Sequence, residues 1–351
     1  MTRPPVPAGR GSPGDADVRV GGLPTYAQLL ARTDAPPGSA WGLFGADDQI
    51  GTLNLLTPER AAAGAQAVRT GRAYSLDLAL DAFSPPLAPT RHTHTHFIFQ
   101  RNPHHRDEWV NHLYTQISSQ IDGLRHIGHP EHGFYNGADP TRFVPGDDLL
   151  GVQHLAEHTI AGRAVLVDVG RYCQAVDEPI DHRAGQPIPI EVVEAARRHQ
   201  GVDIEPGDIL LLRFGWIEWY REQATEDDRR RVATEQHHPG LLQDHATVEW
   251  LWDQQISLAA ADNFALECWP PQPASPFFTR AERDHGTRDA HSGIMHRVLI
   301  PLLGMPIGEL WNLDALAADC AADGRYTCLL TAAPLRLTGG VGSPANAVAI
   351  R

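Results

Sequence analysis

Apolar and polar positions alternate along this chain in two rhythms. LPTYAQLL at 23–30 has the spacing of a short helix. TPERAAAGAQAVRTG at 57–71 predicts a second helix, with Thr57 as the cap, Pro58 in the first turn, Glu59 early and Gly71 closing it. AYSLDLAL (73–80), THFIFQ (95–100), AVLVDV (164–169), DILLLRFGW (208–216), ISLAAADN (256–263) and YTCLLTAAPLRL (326–337) are short apolar runs bounded by Gly, Pro or Asp, and read as strands. IEVVEAARRHQ (190–200), ATVEWLWDQQ (246–255) and HRVLIPLLG (296–304) carry helical periodicity. Helices and strands are interleaved, which predicts an α/β or α+β chain around one mixed sheet. No internal repeat or long Gly/Ser linker divides it, so residues 21–351 read as a single domain. The Pro-, Gly- and Asp-containing segment 1–20 reads as a disordered tail without the apolar stretch of a signal peptide.

Composition narrows the function classes. A formal net charge of −14 argues against a nucleic-acid binder and fits a protein that handles small molecules. All 29 basic residues are Arg; without lysine there is no Schiff base and no P-loop lysine. Hydrophobic residues make up 42%, enough for a sizeable core. No apolar run reaches 18 residues, so no membrane span is expected. The four cysteines, Cys173, Cys268, Cys320 and Cys328, form no CxxC pair and read as reduced thiols of a cytoplasmic protein. GGVGSP at 339–344 follows a strand as a dinucleotide loop would, but Pro344 and the few residues after it leave no room for a helix and a second βαβ unit.

Histidine is abundant, with 19 residues, and two stretches compete for attention. RHTHTHF at 91–97 places His92, His94 and His96 on one face of a strand, a metal-binding pattern or an exposed polar face. QISSQIDGLRHIGH at 116–129 puts Asp122 four residues before His126, behind a polar run of Gln116, Ser118, Ser119 and Gln120. A carboxylate that can bind a metal beside a histidine that moves protons near neutral pH makes this the better centre. His154, Glu157 and His158 in QHLAEHTIAG read as supporting groups or as helix surface, and Asp262 as a supporting group or a turn residue. Trp41, Phe44 and Tyr135 are candidates to line a substrate pocket, with core packing as the alternative.

Five segments carry a resemblance: WGLFGADDQIGTLNLLTPER (41–60), SSQIDGLRH with HGFYNG (118–137), HPGL (238–241), GMPIGELWNLDAL (304–316) and GGVGSPANAVAI (339–350). Together they resemble the putative cyclase family, which includes kynurenine formamidases and isatin hydrolases, and within it the long-chain branch. The resemblance runs from about Leu23 to Arg351 and implies a swivelling β/β/α domain assembled as a homodimer or homotetramer. The family's motif is His-x-Gly-Thr-His-x-Asp-x-Pro-x-His, with a His and a Glu downstream. It implies catalytic roles for Asp122, His126 and Glu309, and one divalent ion, manganese or zinc, held by Gln120, Asp122, His296 and Glu309. The two leading histidines fall on Gln116 and Gln120. Gln116 is then expected against the substrate. An amide oxygen is a harder donor than imidazole. Three outcomes follow: a weaker metal site, one repaired by the HTHTH histidines, or one that has lost its metal.

The expected activity is metal-dependent hydrolysis of a small-molecule amide, lactone or lactam, with His126 as acid and base. The alternatives are a metal-independent cyclase or lyase that uses His126, Asp122 and Glu309 for proton transfer, and a non-catalytic binding protein on the same fold.

Overall fold

The computed structural model describes residues 22–286, 289 and 291–351. The expected tail over 1–20 lies outside the described residues. Thirteen strands are described: β1 (Ala73–Ser75), β2 (Thr95–Asn102), β3 (His105–Asn111), β4 (Gln120–Asp122), β5 (Ile160–Asp168), β6 (Pro187–Ile188), β7 (Ile209–Arg213), β8 (Gly240–Leu241), β9 (Leu258–Ala261), β10 (Ile307–Glu309), β11 (Thr327–Ala332), β12 (Gly342–Pro344) and β13 (Ala347–Ile350).

Nine of these strands form one mixed sheet in the order β1-β13-β11-β5-β7-β9-β10-β4-β12. Its centre is parallel, from β5 through β7 and β9 to β10, and both flanks are antiparallel. The central strands are predominantly apolar because both their faces are covered, with charged residues confined to Arg163, Asp168, Arg213 and Glu309. Alternation divides their side chains between two cores. Val165, Val167, Leu210, Leu212, Ala259 and Ala261 face one core. Ala164, Leu166, Ile209, Leu211, Leu258 and Ala260 face the other. Helices Ile190–Gln200 and His245–Asp253 supply Val193, Ala196, Val248 and Leu251 to the first core. Helix Asp314–Asp323 supplies Leu316, Ala317 and Cys320 to the second. This is the mixed α/β class expected from the sequence.

Several predicted boundaries move. Helix Ile190–Gln200 has the bounds its periodicity predicts, closed by Gly201 in the left-handed region at φ 64°. The second helix runs only over Pro58–Ala67, and the Thr57 side chain makes no capping bond. Gly71 lies beyond the helix, in a turn at φ 72° that leads into β1. HRVLIPLLG yields one regular turn, His296–Leu299, because Pro301 has no N–H to continue the ladder, although Ile300 keeps helical backbone angles. AYSLDLAL pairs for only three residues.

THFIFQ does become a strand, but outside the main sheet. β2 and β3 form their own antiparallel hairpin, with Phe97, Phe99 and Trp109 in ring contact across it. Phe97, Ile98, Trp109 and Val110 on this arm are exposed. The four cysteines are buried and unpaired by disulfide. Among the described residues, no helix is long and apolar enough to cross a membrane.

Candidate active site

The register of one short strand builds the site. β4 is wholly buried between β10 and β12, and Gln120 lies opposite Glu309 while Asp122 lies opposite Ile307. Directly opposed residues share a face, so Gln120, Asp122 and Glu309 converge there while Ile121 enters the core behind. Gly308 makes this pairing possible: a Cβ there would lie 2.4 Å from the Ala260 Cβ and 2.8 Å from the Trp311 ring.

His296 arrives from the start of its single helical turn. Its Nδ1 lies 2.6 Å from Glu267 Oε1, and Glu267 Oε2 accepts the Met295 backbone N–H at 2.7 Å. One carboxylate thus fixes both the imidazole and the turn that carries it. The other ring nitrogen, Nε2, faces Glu309 Oε1 at 3.1 Å and Asp122 Oδ2 at 4.0 Å. Burial opposes charge on His296, but hydrogen bonds to Glu267 and Glu309 prevail and lift its pKa to about 10. Burial raises the Asp122 pKa, with the nearby His126 charge opposing. Glu309 is also penalised by burial, yet its bond to His296 holds its pKa below the usual range.

The two glutamines turn their amide nitrogens toward the carboxylates. Gln116 Nε2 donates to Asp122 Oδ1 at 2.5 Å, and Gln120 Nε2 donates to Glu309 Oε2 at 2.7 Å. The Gln120 oxygen accepts from Arg91 at 3.3 Å. The lone pair of an amide nitrogen is delocalised and a poor metal donor, so in this geometry Gln120 holds Glu309 in place through its nitrogen and turns its oxygen to Arg91, whereas the sequence reading expected it as a ligand. Gln116 is likewise 3% exposed and bound to Asp122, with no open face for a substrate.

Asp122, His296 and Glu309 each present a donor atom within 4.8 Å of the others. Asp122 Oδ2 is buried with no hydrogen-bond partner. A bare carboxylate oxygen is costly unless something positive meets it. Two carboxylate oxygens and an imidazole nitrogen fixed by Glu267 form a donor set that fits one divalent ion.

His126 occupies a turn beside this cluster, with its Nε2 3.7 Å from Asp122 Oδ2. The turn is anchored by the neighbouring Arg125, which donates to the carbonyls of Asp147 and Gly339 at 2.9 Å and of Arg142 at 3.0 Å. His126, His296 and Glu309 open onto a cavity of about 400 Å³ whose apolar wall includes Tyr114, Ile127, Phe264, Trp269 and Ile294. Arg91 also lines it.

The structure therefore brings together Asp122, His126, His296 and Glu309. It does not bring Trp41, Phe44 or Tyr135 to this cavity. Trp41 and Phe44 pack on the first core, with Trp41 Nε1 donating to the Pro301 carbonyl at 2.7 Å. Tyr135 is fully buried against Gly304 and donates its hydroxyl to Asp48 at 3.0 Å. None of the HTHTH histidines belongs to the Asp122, His296 and Glu309 donor group among the described residues, and His92 and His94 precede β2 instead of sharing its face with His96. His96 pairs with Glu108 on the hairpin at 2.8 Å, and His92 packs against His112 and Tyr114. His154 donates from Nε2 to the Asp148 carbonyl, 2.9 Å away. Asp262 accepts the Phe214 and Gly215 backbone N–H groups at 2.7 and 2.8 Å, which makes it a loop anchor.

Glu267, Arg91, Tyr114, Phe264 and Trp269 were not singled out from the sequence. A lone acid inside the apolar run FALECW was the available signal for Glu267. Arg91 stands immediately before the histidine run that drew the eye instead.

The family model described as "Putative cyclase" matches residues 75–268. A crystal structure of a novel cyclase is 30% identical, with a TM-score of 0.74, covering 89% of this chain and 97% of that one. Isatin hydrolase A from Labrenzia aggregata, bound to benzyl benzoate, is 16% identical with a TM-score of 0.52, covering 83% of this chain and 97% of its own. Isatin hydrolase A from Ralstonia solanacearum is 17% identical with a TM-score of 0.52, covering 84% and 98%. No curated protein matches the chain. The isatin hydrolases share the fold. The family model over most of the strand-rich middle, with 30% identity across nearly the whole length, makes this chain a member of the putative cyclase family.

Proposed function

We propose that this protein hydrolyses a small-molecule amide, lactone or lactam, with His126 as the acid and base. The observation that carries this reading is the bare Asp122 Oδ2, 3.7 Å from His126 and 4.0 Å from His296, beside a cavity that His126, His296 and Glu309 line together with apolar side chains. The isatin hydrolases that share the fold supply a precedent for ring opening. A divalent ion held by Asp122, His296 and Glu309 would supply Lewis-acid polarisation of the scissile carbonyl and lower the pKa of a water. The chain's own groups do the rest. His126 takes a proton from water at an imidazole nitrogen and returns it to the departing nitrogen or oxygen. Gln116 and Gln120 hold the two carboxylates still while charge redistributes. The apolar wall excludes bulk water from the carbonyl.

The test is turnover of a panel of lactones, lactams and aryl amides by the native chain and by His126→Ala. A loss of about 10²–10⁴-fold is expected, the usual size of a general acid–base contribution. Full turnover by His126→Ala of any substrate the native chain cleaves would sink the assignment.

One observation favours a second reading, a metal-independent cyclase or lyase. Gln116 and Gln120 already place N–H donors on both carboxylates, which fixes Asp122 and Glu309 beside His126 so that these three can exchange protons with a substrate. Activity that survives exhaustive chelation would select this reading. Activity lost on chelation and restored by manganese or zinc would select the first.

A further inference from the structure

Arg91 has an arrangement that the hydrolytic reading leaves unused. Its guanidinium carbon lies 4.7 Å from the centre of the Phe264 ring and 5.6 Å from that of Tyr114. One nitrogen, Nη1, donates to the Gln116 carbonyl and to Gln120 Oε1, which fixes the plane of the group. Nε and Nη2 have no hydrogen-bond partner among the described residues and are not sealed from solvent. No carboxylate lies within ion-pair distance of Arg91 among the described residues; Asp122 and Glu309, hydrogen-bonded to the glutamines and His296, feel its charge only from farther off. The result is a cation braced on aromatic faces, in the wall of the cavity that His126 also lines. A planar fork held this way matches a carboxylate, with two parallel N–H···O bonds.

We propose that the substrate carries a carboxylate besides its scissile carbonyl, and that Arg91 binds it while an aromatic or branched apolar body rests on Tyr114, Phe264 and Trp269. This substrate class rests on the hydrolytic reading of the same site, but its test reads binding alone. The probes are benzoate, phenylacetate and 3-phenylpropanoate, each with its primary amide, titrated calorimetrically against the full chain with and without EDTA. The acids are expected to bind at least about tenfold tighter than their amides, and to do so in EDTA as well. Arg91→Gln should bring each acid to within about twofold of its amide, and Arg91→Lys, which keeps charge but not the fork, should fall between. Equal binding of acids and amides by the native chain would overturn the proposal, whether or not any variant folds. So would a preference that is unchanged in Arg91→Gln, or one that vanishes in EDTA, which would assign the carboxylate to a bound ion. Failure to hydrolyse any substrate would count against the hydrolase reading and leave this binding result standing.

Discussion

At the scale of single residues, the site is a chain of groups each fixed by the next. Glu267 illustrates it. It lies outside the Asp122, His296 and Glu309 donor set but grips His296 at 2.6 Å. Glu267→Gln keeps the shape and removes the charge that helps hold His296 protonated. The expected outcome is a fall of the His296 pKa from about 10, seen by NMR titration of the metal-free protein, with a ~10–100-fold loss of metal affinity or turnover. An unmoved His296 titration would show that Glu309 alone holds the charge. Asp122, His126, His296 and Glu309 were legible because they sit at motif spacings that the resemblance supplies. Glu267 and Arg91 were not, because their partners lie 29 residues away in one case and 25 and 29 in the other, and no local pattern links them. The aromatic candidates failed for a general reason: a Trp, Phe or Tyr in sequence gives no sign of which core it enters.

At the scale of elements, strand pairing does the positioning. Gly308 allows β10 to lie against Ala260 and Trp311 with Glu309 facing Gln120. Gly308→Ala would overpack this contact, and a loss of about 1–3 kcal/mol is expected by denaturant unfolding. A variant as stable as the native chain would mean that the sheet yields locally. Elements with a strong local signature were read well, as with helix Ile190–Gln200 and its Gly201 stop. Elements set by tertiary pairing were read poorly. AYSLDLAL is apolar enough for eight strand residues but finds a partner for three, β13. THFIFQ has the apolar run of a core strand, yet among the described residues it pairs with β3 across a tight turn and not with the main sheet. Periodicity records which residues prefer a pleated surface, and it cannot say which neighbour completes it.

At the scale of the whole molecule, buried titratable groups set opposing pH limits in the metal-free state. Burial lowers the pKa of His129 and His182 to about 4 and of His238 to about 3. The unfolded chain takes up those protons below its ordinary histidine value of about 6.5, so stability from these groups is lost as pH falls from there. Burial raises Asp208 and Asp262 to about 7. Their contribution runs the other way, present in acid and lost as pH rises through 7. His296, raised to about 10, contributes fully below about 6.5 and loses that contribution between there and 10. Burial also lowers His158 and His291 and raises Asp77, Asp122 and Asp314, so the two sets oppose one another in acid, while His296 gives an unopposed loss above 6.5. Thermal unfolding across pH 7–10 is therefore expected to show a Tm that falls as pH rises. A Tm still rising at pH 9 would contradict the state assigned to His296.

The strand that carries Gln120 and Asp122 is three residues long and paired on both sides. A register slip of one residue there would point Ile121 into the cavity and drive Asp122 into the core. Inserted or deleted residues in β4 would thus erase the chemistry along with the fold. The chemistry of this centre can therefore be altered only by exchanging side chains at fixed addresses, Gln116 and Gln120 among them, and never by changing the length of the strand.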